Sequence, residues 1–111
     1  MSRALIDKLL RARERAVPVG RWNFTIRRPT DADALGMQDR TPLEFVTRFV
    51  VGWDLTELDV IPGGGPERVP FDPELWRAWV ADRPEVWEPL AIAILDDYKR
   101  HVDAREADAK N

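Results

Sequence analysis

The sequence predicts a mainly α-helical protein, a small single-domain bundle of four to five helices with a minor antiparallel β ribbon. Three observations predict it. Four segments open on helix-start chemistry, at Thr30, Thr41-Pro42, Asp72-Pro73 and Asp82-Arg83-Pro84-Glu85, each with a capping side chain or an early proline. Apolar residues after these starts recur at helical spacing, most clearly in Trp87, Leu90, Ala91, Ile94, Leu95, Tyr98 and Val102. Only one stretch, Arg21 to Arg27, alternates strictly between apolar and polar residues as a half-buried strand does.

In chain order, Ser2 to about Ala16 reads as a first helix. Leu5, Ile6, Leu9 and Leu10 form a short apolar stripe, and the segment turns polar from Arg11 onward. Residues 1–20 are therefore expected to form a basic, loosely docked N-terminal helix, ended by Pro18 and Gly20. In the strand, Trp22, Phe24 and Ile26 face one side. A lone strand leaves backbone groups unpaired, so it needs a neighbour. Leu58 to Ile61 and Glu67 to Phe71 are the expected partners.

Thr30 caps a short helix from Asp31 to about Met37. The central helix runs from Pro42 to about Val51, with Leu43, Val46 and Val50 on one face and Phe45 and Phe49 beside them. Gly52 is read as its left-handed cap, which returns Trp53 to the helix's own apolar face. Asp54 to Pro70 is irregular, and Pro62-Gly63-Gly64-Gly65-Pro66 is expected to be a mobile tip. A helix from Pro73 to about Ala81 follows, then a last one from Pro84 to about Ala104 with Pro89 in its early turns. Residues 105–111 are expected to fray.

Composition narrows the function classes. A chain of 111 residues suits one domain, and five tryptophans and four phenylalanines supply its core. The absence of cysteine excludes disulfides and thiolate metal sites. No apolar run approaches the roughly 20 residues needed to span a bilayer, and Met1 to Val17 has no signal-peptide core. A soluble cytoplasmic protein that does not engage membranes is expected.

The net charge of −3 is unevenly spread. Arg3, Lys8, Arg11, Arg13, Arg15, Arg21, Arg27 and Arg28 against Asp7 and Glu14 give residues 1–28 a charge of +6, which leaves −9 for the rest. Such a basic front can steer an acidic partner or lie across the acidic part of its own domain. A pI near 5.2 disfavours a dedicated nucleic-acid binder.

Candidate catalytic and metal groups are few. His101, the one histidine, follows Asp97 by four residues, so the pair can meet on a helix, yet no motif supplies a nucleophile. A place near the helix C-terminus, as a favourable partner of Asp97 and of the helix dipole, explains His101 better than catalysis does, and helix-cap duty explains Asp31 and Asp33 better than calcium does. A calcium loop would need an oxygen ligand at Leu35 and a glutamate at Pro42. The expectation is no enzyme activity, no metal and no cofactor. An apolar groove near the last two helices, lined by Trp76, Trp79, Trp87 and Leu90, is the candidate partner site. Asp82, Glu85 and Glu88 border it and would favour a basic target helix.

Three blocks carry a resemblance: Arg27-Arg28-Pro29-Thr30-Asp31, the run from Phe45 through Arg48-Phe49-Val50-Val51-Gly52-Trp53-Asp54, and Val69-Pro70-Phe71-Asp72-Pro73-Glu74-Leu75-Trp76. With Asp82-Arg83-Pro84-Glu85-Val86-Trp87 and a polar tail, they make residues 22–104 resemble the small tail assembly chaperones encoded among the tail genes of long-tailed phages and prophages. The resemblance implies a non-catalytic protein in the cytoplasm of the bacterial host. It would bind helical, apolar segments of the tape-measure protein and keep them soluble while the tail tube assembles. Chaperones of this kind are absent from the finished tail, and some are made in two lengths by ribosomal frameshifting. The first helix lies outside the matched blocks. The alternative reading is a small prophage-encoded regulatory adaptor that binds an acidic protein through its basic N-terminal segment. Neither reading sets an oligomeric state.

Overall fold

The computed structural model describes residues 2–110. It is mainly helical with one three-stranded antiparallel sheet, in the order α1 (Ser2–Arg11), β1 (Glu14–Val19), β2 (Trp22–Arg27), α2 (Asp31–Leu35), α3 (Pro42–Phe49), β3 (Val50–Trp53), α4 (Glu57–Val60), α5 (Pro73–Val80) and α6 (Pro84–Lys110). The sheet order is β1-β2-β3.

The first helix is shorter than expected, and its second half is a strand. β1 pairs with β2 along its whole length, from Glu14 opposite Arg27 to Val19 opposite Trp22. Gly20 and Arg21 form the two-residue loop, with Gly20 at φ +59°. A glycine with positive φ at the first loop position is what a type II′ hairpin requires. Pro18 lacks an N–H, which an edge strand tolerates. It therefore sits within β1 and does not end a helix.

The other neighbour of β2 is β3, not the expected later segments. Phe24 lies opposite Trp53, Thr25 opposite Gly52 and Ile26 opposite Val50, with an irregularity between Thr25 and Ile26. α3 begins as expected, with Thr41 capping the Glu44 N–H, but it passes at Val50 straight into extended backbone. The β-branched pair Val50-Val51 suits a strand. Gly52 is not a left-handed cap. It lies in β3, where a Cβ would stand 3.1 Å from Thr25 Oγ1, so glycine permits the strands' close approach. Trp53 accordingly does not fold under α3. It is half-buried on β3, its indole N–H donates to the Val69 carbonyl at 2.7 Å, and its ring meets Phe71 edge-on at 4.9 Å.

Residues 54–72 are more ordered than their composition suggests. Thr56 and Asp59 cap α4 reciprocally. Leu58 to Val60 thus belong to this helical turn, and Glu67 to Phe71 contribute only an isolated bridge, Arg68 to Thr56. The glycine tip is pinned onto α4. The Gly65 N–H donates to Glu57 Oε1 at 3.0 Å. A Cβ on Gly64 would come within 2.5 Å of the Glu57 carbonyl oxygen, so only glycine fits there.

α2 has the expected Thr30 cap, completed by Asp33 in a capping box. α5 has the expected Asp72 cap with Pro73 behind it. α6 exceeds the expected end near Ala104 and stays helical through Lys110, and Asn111 lies outside the described residues. The core is one cluster between the sheet, α3, α5 and the first half of α6. Phe24, Ile26, Val46, Leu55, Trp76, Val80, Leu90 and Ile94 are among its fully enclosed members. α1 contributes no buried residue, and α6 contributes none after Ile94.

Candidate partner-binding surface

The groove expected between the last two helices is filled. Trp76 is 0 % exposed, Trp79 4 % and Leu90 0 %. The Trp76 and Trp79 rings stack at 6.0 Å, while Phe24 from β2 approaches Trp76 at 5.3 Å and Trp22 approaches Trp79 at the same distance. Their N–H groups are also satisfied inside. Trp76 Nε1 donates to the Val46 carbonyl and Trp79 Nε1 to the Asp59 carbonyl, each at 2.9 Å. Buried tryptophans with partnered N–H groups are core residues. Of the candidate anchors only Trp87 is half-exposed, and Asp82, Glu85 and Glu88 stand in solvent without an apolar groove to border. The physical reason is the sheet. With three strands in place of a minor ribbon, β2 has an apolar face to cover, and the tryptophans of α5 cover it.

Open apolar surface lies elsewhere. On α1, Leu5 is 68 % exposed, Ile6 43 % and Leu9 56 %, and Leu10 is half-buried. A second apolar feature is a cleft of about 210 Å³ walled by Pro29, Ala34, Met37, Phe45, Leu95 and Tyr98. Leu35 and Ile92 are also exposed on the neighbouring helices α2 and α6.

The charged groups distribute differently from their sequence neighbours. Asp97 does not pair with His101. It accepts from Arg15 of β1 at 2.8 Å, and that hydrogen bond raises the Arg15 guanidinium pKa. His101 Nε2 faces Asp31 at 3.5 Å, well inside α6 and away from its end. Asp31 stands in the first turn of α2, as its reading as a helix-start charge requires, and it is also the tie between α2 and α6. It accepts from Arg105 and from the Tyr98 hydroxyl, and these bonds, Arg105 first, hold its carboxyl below the ordinary range. Partial desolvation and then Asp31 push the Tyr98 phenol up. Asp33 serves the α2 cap and pairs with Arg48 at 2.9 Å. Among the described residues no three His, Cys, Asp or Glu side chains gather as a metal site. No described helix is long and apolar enough to cross a membrane.

The basic front is partly neutralised within the chain. Arg15 pairs with Asp97, Arg21 with Asp59 and Arg27 with Glu14. Arg13 and Arg28 pair with no carboxylate among the described residues. They line an open cleft of about 410 Å³ together with Arg100 and His101 of α6. The exposed stripe of α1 was legible in the sequence as a stripe that stops halfway along its segment. The basic cleft was not, because it requires β1 and α6 to be neighbours. Comparison with protein-family models, curated proteins and solved structures finds no match to the chain.

Proposed function

We propose that the chain is a non-catalytic tail assembly chaperone in the bacterial cytoplasm, and that it holds helical segments of a tape-measure protein against the apolar face of α1. The resemblance of residues 22–104 supports the class and the partner. The observation that carries the mode of binding is α1 itself, a ten-residue amphipathic helix with no buried residue. Isolated helices shorter than about 12–15 residues are marginal in water, so a packing partner would stabilise α1. Full burial of a leucine or isoleucine contributes roughly 1.5–3 kcal/mol, and Leu5, Ile6 and Leu9 sit at the i, i+1 and i+4 positions that a facing helix can cover together. Arg3, Lys8 and Arg11 flank the stripe against the single Asp7, so the favoured target helix is acidic at its margins, the reverse of what Asp82, Glu85 and Glu88 suggested.

The test is co-expression with the tape-measure protein of the same gene cluster, followed by pull-down and a solubility assay. The expected result is retention and solubilisation by the wild-type chain and loss of both in Leu5→Asp/Leu9→Asp, with Trp87→Ala close to wild type. A tape-measure protein equally soluble without the chain, and not retained on it, would overturn the proposal.

A further inference from the structure

We propose a second, independent site: the cleft between the α1–β1 connection and the middle of α6 binds a phosphate-type dianion. The hairpin sets its geometry. The Arg28 N–H donates to the Arg13 carbonyl at 2.8 Å, continuing the ladder that pairs Glu14 with Arg27. Arg13 and Arg28 are therefore cross-strand neighbours, and both are half-buried. Two like charges held opposite each other on a strand pair oppose folding unless something neutralises them.

The nearby carboxylates do not. Glu14 is taken by Arg27 at 2.8 Å, and Asp97 by Arg15 at 2.8 Å. Arg100 reaches Asp97 only at 3.5 Å, and its side chain is 67 % exposed, so it can turn into the cleft. Arg13, Arg28 and Arg100 thus line one concavity of about 410 Å³, with Glu14, Arg15, Asp97 and His101 also at its wall. Arg28 Nη1 donates to the Pro29 carbonyl at 2.9 Å, which fixes that guanidinium and leaves its other donors for an anion. A guanidinium binds an oxyanion through two parallel N–H donors. A carboxylate has two oxygens and satisfies one or two forks. A phosphoryl group has three or more oxygens and a double charge, which matches three forks. The space exceeds one phosphate ion, so the group can be free or carried on a larger molecule.

The probes are inorganic phosphate and phosphoserine, titrated into the 15N-labelled chain against sodium chloride at matched ionic strength. Side-chain Nε–Hε signals of arginine are followed. Saturable shifts confined to Arg13, Arg28 and Arg100 with inorganic phosphate assign a free-ion site. Shifts with phosphoserine alone assign a site for a carried phosphoryl group. Arg13→Gln/Arg28→Gln is expected to weaken binding by at least about tenfold, as loss of charge-assisted bonds does, while Arg77→Gln on α5 leaves it unchanged. Arg100→Gln, an exposed change that cannot disturb the hairpin, provides the same reading if the double variant folds poorly. Shifts no larger than those in chloride, or equal in the wild type and in Arg100→Gln and the double variant, would overturn the site. The apolar face of α1 takes no part, so this result does not depend on the fate of the chaperone proposal.

Discussion

α1 and α3 carry the same kind of apolar stripe and meet opposite fates. α3 lays Phe45, Val46 and Phe49 into the core, whereas α1 leaves Leu5, Ile6 and Leu9 in water. The difference lies in what each helix is tied to. α3 runs without a loop into β3 and packs against α6. α1 is joined through Ala12 and Arg13 to β1, the edge strand, and the charged middle of α6 faces that junction. Periodicity determines which face of a helix is apolar. Connection and neighbours determine whether the chain itself covers that face. A stripe left uncovered next to a complete core is a surface available to a partner.

The sharpest way to break the comparison is to remove a piece of the packed half. Trp76→Ala is expected to cost about 3–5 kcal/mol, as truncation of an enclosed aromatic does, and to remove one of the two donors to the Val46 carbonyl, which keeps the Val50 N–H. Trp53→Ala should cost less, about 2 kcal/mol, because that ring is half-buried and loses one hydrogen bond and its contacts with Phe71 and Trp76. Chemical denaturation followed by fluorescence measures both. Equal midpoints for the two variants would mean that the aromatic cluster is not organised around Trp76.

These residues also show how far the sequence could be read. Thr30, Thr41 and Asp72 are where capping chemistry puts them, because a cap is a local hydrogen bond among residues close in sequence. The sheet was half legible. Trp22 to Ile26 alternates cleanly, but both its partners were hidden. β1 carries Pro18 and follows an arginine-rich run that reads as a fading helix, and β3 is four residues long and continuous with α3. Once the sheet is larger, it absorbs Trp76 and Trp79, and a surplus of aromatic surface becomes a core. The ties of Asp31 to Tyr98, His101 and Arg105 span 67 or more residues, and local spacing cannot reveal them.

A smaller effect is expected from acid. Asp31 has its folded pKa lowered, chiefly by Arg105 and then by Tyr98. A lowered carboxylate pKa means that the folded state holds the ionised form more firmly than the unfolded chain does. The contribution is therefore complete above the unfolded value of about 3.9 and is lost as pH falls through the lower folded value. Between pH 7 and 5 Asp31 stays ionised, so its bonds to Arg105 and Tyr98 should not change. Below about pH 4 they should weaken, and amide exchange in residues 101–110 should rise before that of α5 does. Arg105→Ala should produce the same enhanced exchange at neutral pH. If its exchange profile is that of the wild type, Asp31 does not secure the second half of α6.

The smallest effect on stability is expected where the comparison is most exposed to failure. Leu5→Asp/Leu9→Asp places two charges on the apolar face of α1, and in a packed helix such changes bury unpaired carboxylates and cost several kcal/mol. On α1 both sites are more than half exposed, at 68 % and 56 %, and touch no part of the core cluster. The unfolding free energy should therefore move by no more than about 0.5 kcal/mol, although α1 itself loses helicity because aspartate is a weak helix former. Val46→Asp on α3 is the matched control, and it should unfold the protein or lower its midpoint severely, because Val46 is 0 % exposed. A loss above about 2 kcal/mol in the α1 variant would show that Leu5 and Leu9 are packed within the chain in solution. The apolar face of α1 would then be structural and would have to be given up as the partner surface. A change within the expected range, together with lost retention of the tape-measure protein, would separate binding from folding on a single helix face.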